Sequence, residues 1–203
     1  MNTDWNKRYS SEEYVYGKQP NDFFRTIMET LSPGKILLPA EGEGRNGVYA
    51  ALKKWNVTAF DSSVVALQKA LKFARENDVQ MIYHLCDYPD FNCHEADFDV
   101  IAFIYAHVPS LQKSAYYRNL LPCLKPGGKV IFEAFSKKQE KQQQNNPQAG
   151  GPRDSGMLFS LEEVEEIFSG FRILRLEEKE IFLSEGFGHT GTSSVIQCIA
   201  EKK

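Results

Sequence analysis

The sequence predicts an α/β fold: one doubly wound, mostly parallel sheet of seven strands that ends in an antiparallel hairpin. Three observations carry the prediction. Between residues 21 and 169, short runs rich in Val, Ile, Leu and Phe alternate with segments whose apolar residues recur at helical spacing, the pattern of repeated strand–helix units. The runs are nearly continuous in apolar residues, as in strands covered on both faces. Beyond residue 170 the alternation stops, and two long strand-like runs follow with no room for a helix between them.

Taken in order, Asn21 caps a helix that sets Phe23, Phe24, Ile27, Met28 and Leu31 on one face, and Ser32-Pro33-Gly34 ends it. Lys35-Ile36-Leu37-Leu38 is the first strand, and a glycine-rich turn leads into a helix with Val48, Ala51 and Leu52. Val57 to Phe60 is the second strand, ending at Asp61; Val64, Leu67, Ala70, Leu71 and Ala74 then mark a helix. Met81–Cys86 and Phe98–Phe103 are the third and fourth strands. A helix over Gln112–Leu124 stops at Lys125-Pro126-Gly127-Gly128, before a fifth strand over Lys129–Phe135. Residues 137–156 are dominated by Gln, Asn, Lys, Gly and Pro, a composition that predicts a solvated loop or a lid over substrate. Ser160-Leu161-Glu162-Glu163 is a capping box opening a helix that Gly170 closes. Phe171–Leu183 and Ser193–Ala200 form the final hairpin. The expected organisation is a single domain over residues 1–203, with residues 1–20 as an N-terminal segment over the site.

The composition narrows the function. A formal charge of −3 over 203 residues gives no basic footprint for nucleic acid. Residues 1–5 lack the basic and apolar regions of a signal peptide, and no apolar run is long enough for a membrane span. The four scattered cysteines suit a reducing compartment, so the cytoplasm is the expected location. His84, Cys86, Cys93 and His94 match no compact zinc pattern, and no metal is expected.

The turn Glu41-Gly42-Glu43-Gly44-Arg45-Asn46-Gly47 carries the chemistry. Gly42, Gly44 and Gly47 satisfy the spacing of a dinucleotide-binding loop, which keeps a nicotinamide-dependent oxidoreductase among the alternatives. Two glutamates in the turn, however, are poor company for a pyrophosphate. A cationic ligand without phosphate fits better. Asp61, at the carboxyl end of the second strand with Ser62 beside it, is placed to accept ribose hydroxyls, or to begin a turn. Asp87 at the end of the third strand can accept an adenine amino group, and Tyr88 can shield the ring; Asp87-Tyr88-Pro89-Asp90 also reads as a turn.

In this order the motifs resemble the class I S-adenosylmethionine-dependent methyltransferases, and are similar to their small bacterial tellurite-resistance and thiopurine methyltransferase branch. The resemblance rests on Trp5-Asn6-Lys7-Arg8-Tyr9 with Tyr16-Gly17, on residues 36–46, on Asp61 and on Cys86-Asp87. It continues through Phe98-Asp99-Val100-Ile101, Leu124-Lys125-Pro126-Gly127-Gly128 and Gly188-His189-Thr190-Gly191. It implies a Rossmann-like fold, S-adenosyl-L-methionine as cofactor and a small-molecule acceptor. By that resemblance Glu41, Gly42, Gly44 and Asn46 hold the methionine part, Asp61 and Ser62 the ribose, and Asp87 and Tyr88 the adenine. Ile104 and Tyr105 flank the cofactor, while Tyr9 and Tyr16 close over it. The family pattern usually has an acidic residue where Leu38 stands and a glycine where Ala40 stands.

Methyl transfer from a sulfonium depends mainly on aligning acceptor, methyl and sulfur. No nucleophile-and-base constellation stands out in the chain, which fits a soft or already anionic acceptor such as a thiol, selenium or tellurium species. His107 is the candidate proton acceptor, and Phe135 and Arg153 are the candidate acceptor contacts. The expected unit is a monomer or homodimer. A domain that binds the S-adenosyl nucleoside without catalysis is the third alternative.

Overall fold

The computed structural model describes residues 4–146 and 148–203. Residues 1–3 and 147, which belong to the expected N-terminal segment and to the expected loop or lid, lie outside the described residues. The chain begins with α1 (Trp5–Arg8) and α2 (Asp22–Met28), then β1 (Lys35–Pro39), α3 (Arg45–Leu52), β2 (Asn56–Asp61), α4 (Val64–Glu76) and β3 (Ile82–Leu85). It continues through β4 (Phe98–Ile104), α5 (Lys113–Leu120), β5 (Leu124–Phe135), α6 (Gln139–Asn145), α7 (Leu161–Ile167), β6 (Phe171–Glu185) and β7 (His189–Lys202).

The seven strands form one sheet in the order β3-β2-β1-β4-β5-β7-β6. β1 to β5 pair in parallel, while β7 runs antiparallel to both β5 and β6. This is the expected architecture. The direction of winding reverses between β1 and β4, whose pairing ends at Leu37↔Ile101, and the carboxyl edge at such a reversal is the usual ligand position in open α/β sheets.

Strand alternation divides the core between the two faces. Ile36, Leu38, Val100, Ala102 and Ile104 point to one side, where they meet Phe23, Phe24, Ile27 and Met28 of α2 and Ala50 of α3. Leu37, Ile101, Phe103, Val130 and Phe132 point to the other, against Tyr117 of α5, Phe159, and Val164 and Phe168 at α7. Leu38, standing where the family pattern has an acid, is a core residue at 1% exposure.

Local chemistry sets the ends of the elements. The Asn21 carboxamide accepts the Phe24 N–H at 2.8 Å, as the cap reading expects. Ser160 and Glu163 form both bonds of the capping box. That helix stops at Ile167, and Gly170 is absent from the left-handed glycines. The helix expected over Gln112–Leu124 is shorter, because Pro122 cannot continue it and a tighter turn, Leu121–Cys123, follows. Lys125–Gly128 lies inside β5 as an irregularity, where pairing jumps from Phe98↔Leu124 to Val100↔Lys129.

Residues 137–156 correct the expectation of a solvated loop. They carry α6, and Gln139 is fully buried, donating to Gly150 O at 2.9 Å and accepting from Ser194 N at 2.7 Å. Gln143 also donates to Gly150 O, at 2.9 Å. Side-chain amides satisfy backbone groups here, so order comes without apolar burial. The cysteines require a second correction. Cys93, after β3, and Cys123, before β5, are joined as a disulfide with Cα atoms 5.9 Å apart, while Cys86 and Cys198 are free. Among the described residues, no helix is long and apolar enough to cross a membrane.

Candidate active site

The turn from β1 to α3 is built from unusual backbone. Ala40, Gly42 and Gly44 have φ of 50°, 64° and 89°. For Ala40 that left-handed conformation costs about 1–2 kcal/mol, the penalty a glycine there would avoid. A side chain on Gly42 would lie 2.8 Å from the Tyr9 hydroxyl, and one on Gly44 would lie 2.7 Å from the Ala70 Cβ. Both glycines therefore make room for the protein's own N-terminal segment and α4.

Two carboxylates are buried at this turn. Glu41 Oε1 accepts the Gly47 N–H at 2.6 Å, so a carboxylate occupies the start of α3. Burial pushes its pKa up to about 7, against the opposing pull of that bond and of Arg45. Asp61 accepts the N–H groups of Gly42 at 3.0 Å and Ser63 at 2.9 Å, and burial raises it to about 6. The other polar groups of the turn hold the N-terminal segment down. Glu43 accepts the Val15 N–H at 2.8 Å and pairs with Lys69, while Asn46 accepts the Asn21 N–H at 2.9 Å. Tyr9, at 5% exposure, lies against Gly42 and Asp61.

On the adenine side the placement is mixed. Ser62 and Asp87 are exposed at the rim, and Asp87 accepts the Tyr88 N–H at 2.8 Å, which is the turn reading of that motif. Tyr88 is turned inward, a correction to its expected role as a ring shield. Its ring stacks on Tyr116 and meets Phe60 edge-on inside the core. The Tyr88 hydroxyl, buried near Asp61 and Asp87, has no hydrogen-bond partner among the described residues.

Past β4, buried Ile104 leads to Tyr105, whose ring stacks on Phe135 at 4.7 Å and meets His189 edge-on at 4.6 Å. Tyr16 also packs against His189, at 4.3 Å. His107 is not a free base. Its Nδ1 bonds Met157 O at 2.9 Å, and its Nε2 accepts the Phe135 N–H at 3.2 Å. Burial lowers it to about 4, so it is a neutral scaffold ring. Phe135 is buried in this aromatic group, while Arg153 is exposed and donates to Ala149 O at 3.4 Å.

The sequence reading missed Glu185 and His189. Phe135 pairs with Val195, so the β6–β7 turn arrives at the carboxyl edge of the parallel strands, beside the site. That geometry was implicit in the predicted hairpin, and an acid four residues before a histidine at its turn was the available signal. Glu185 accepts from Arg45 at 3.0 Å, His189 Nδ1 at 2.9 Å and Asn21 at 3.3 Å.

These residues suit a cationic nucleoside. Glu41 and Asp61 are desolvated acids, the Tyr88 hydroxyl lacks a partner, and Arg45 is committed to Glu185. A pyrophosphate would meet the Glu41 carboxylate at the start of α3, where it needs free N–H groups.

Residues 36–128 match the methyltransferase-domain family. No curated protein matches the chain. Solved structures that share its fold include the following three. One is of a protein that converts a disulfide bond into a thioacetal group during echinomycin biosynthesis: 16% identity, TM-score 0.78, covering 98% of this chain and 88% of that one. TehB from Haemophilus influenzae has 17% identity and a TM-score of 0.72, over 98% of this chain and 66% of its own. An S-adenosylmethionine-dependent methyltransferase from Methanosarcina mazei has 20% identity and a TM-score of 0.71, over 91% of this chain and 98% of its own. At these identities the likeness establishes the fold.

Proposed function

We propose that this methyltransferase, whose cofactor is S-adenosyl-L-methionine, transfers the methyl group to a small, soft acceptor: a thiol, or an anionic selenium or tellurium species. The observation that carries the reading is the Glu41 carboxylate bonded to Gly47 N–H at 2.6 Å, with Asp61 buried beside it. This cradle attracts a cation and repels phosphate. The cofactor supplies a methyl group already activated on a sulfonium sulfur.

Glu41, Gly42, Gly44 and Asn46 border the methionine part, Asp61 and Ser62 take the ribose hydroxyls, and Asp87 at the rim faces adenine. Ile104 and Tyr105 flank the cofactor, and Tyr9 and Tyr16 cover it. Phe135 and Arg153 lie toward the acceptor, and α6 with the residues after it acts as a lid. The sulfur chemistry of the echinomycin-pathway neighbour supports a sulfur acceptor here. The reading carries with it a cytoplasmic monomer or homodimer, and a net charge of −3 gives it no nucleic-acid partner.

Calorimetry with S-adenosylhomocysteine and with nicotinamide dinucleotide tests the cofactor side. S-adenosylhomocysteine should bind, and Asp61→Ala should weaken it by about 1.5–3 kcal/mol, the worth of hydrogen bonds to a charged group. Unchanged affinity in the folded variant would remove the ribose assignment. Labelled S-adenosylmethionine incubated with thiols, selenide and tellurium oxyanions tests the acceptor. Binding without transfer to any of them would leave a non-catalytic nucleoside-binding domain.

A further inference from the structure

We infer that Glu185 and His189 are a proton-accepting pair for the methyl acceptor, so that the acceptor enters protonated, as a thiol, and gives its proton to His189 Nε2. The inference rests on the methyltransferase reading above and names the acceptor class within it.

The geometry assigns the tautomer. Three donors converge on Glu185: Arg45 at 3.0 Å, Asn21 at 3.3 Å and His189 Nδ1 at 2.9 Å. A carboxylate so held stays ionised, well below the usual range at about 2, through its bonds with His189 and Arg45 and in spite of burial. An ionised carboxylate only accepts, so His189 Nδ1 carries the proton and Nε2 keeps its lone pair. Among the described residues Nε2 has no hydrogen-bond partner. The ring is wedged at 5% exposure against Tyr16, Tyr105 and Phe135, which border the methionine end and the acceptor in the proposed function. A base oriented by a third group, with its other ring nitrogen unbonded, is the arrangement that activates a nucleophile.

The charged and titratable neighbours of His189 agree with this. Burial lowers its pKa most, Arg45 on α3 and Arg8 on α1 push the same way, and Glu185 on β6 opposes them without reversing the shift. Tyr16, Tyr105 and His107 complete the titratable surroundings. The ring is therefore neutral at pH 7 and able to accept a proton. In the reaction the S–H proton passes to Nε2, and the acceptor sulfur bonds to the methyl carbon. The bond from that carbon to the sulfonium breaks, its electron pair stays on the departing thioether, and the imidazolium returns its proton to water. His107, with both ring nitrogens bonded, has no such freedom.

The test compares the wild-type protein with His189→Gln and Glu185→Gln. S-adenosylhomocysteine affinity by calorimetry checks that the cofactor site is intact. Transfer rates are then measured with 2-mercaptoethanol, which is mostly protonated at pH 7, and with hydrogen selenide, which is ionised. In His189→Gln the thiol-to-selenide ratio of kcat at saturating cofactor should fall about 10²-fold or more, the usual worth of general-base catalysis, and the remaining thiol rate should simply follow the fraction of free thiolate as the pH rises. An unchanged ratio and pH profile would overturn the inference, and wild-type protein that binds no S-adenosylhomocysteine would overturn the methyltransferase reading instead. Should the variants fail to fold, nitrogen NMR of the wild-type imidazole decides. A proton on Nδ1 with a bare Nε2 at pH 7 is expected, and a proton on Nε2 sinks the pair.

Discussion

Glu41 and Asp61 are acids that the fold has desolvated before any ligand arrives, and this has a measurable consequence. Burial holds Glu41 at about 7 and Asp61 at about 6, so both bind protons to higher pH folded than unfolded. Their contribution to stability is present at low pH and is lost as the pH rises from about 4 through 6 to 7. A cationic nucleoside needs them ionised, so its affinity should run the other way. Calorimetry with S-adenosylmethionine between pH 5.5 and 8 should show affinity rising about tenfold or more, since one pKa unit is worth about 1.4 kcal/mol. Asp61→Asn should flatten the lower part of that rise. A pH-independent affinity would mean that neither acid meets the ligand. Ala40 belongs to the same scale: its φ of 50° is strain placed directly before these carboxylates.

Among the elements, α6 shows how polar sequence can be ordered. It docks through Gln139, whose amide serves both Gly150 O and Ser194 N. Gln139→Ala leaves the buried Ser194 N–H without a partner, while Gly150 O keeps Gln143, and should cost about 1–3 kcal/mol. Denaturant unfolding measures the cost, and limited proteolysis should show faster cleavage between residues 140 and 156. Equal protease resistance in the variant would show that α6 is held by something else. The β6–β7 hairpin works at the same scale. Antiparallel pairing returns its turn to the carboxyl edge of the sheet, where it delivers Glu185 and His189.

For the whole molecule, stability is shared between two cores on one sheet. Phe132 contributes the rings' meeting point on one face, edge-on to Tyr117 at 5.8 Å, Phe159 at 5.1 Å and Phe168 at 5.8 Å. Phe132→Ala should lower stability by about 3–5 kcal/mol, the range for a buried aromatic truncated to Ala. A loss below 1 kcal/mol by denaturant titration would refute the central role given to that layer. The site hangs on both cores, since β1 and β4 lie between them.

The sheet, its winding and the terminal hairpin were legible because apolar periodicity is a local property of the chain, and the Asn21 and Ser160 caps were legible for the same reason. Asp61 and Glu41 could be picked out as acids at strand ends. Other features depend on partners far away in sequence. The inward turn of Tyr88 follows from Phe60 and Tyr116, and the two bonds that silence His107 come from Met157 and Phe135. The order of α6 comes from a Gln139 amide reaching Ser194, and the free nitrogen of His189 from Arg45, Asn21 and Glu185 converging across the sheet edge. A chain by itself specifies which residues are apolar and where its turns fall. Which polar groups are left to do chemistry is decided only when packing has used up the rest, because a buried donor or acceptor must find its partner wherever the fold places one.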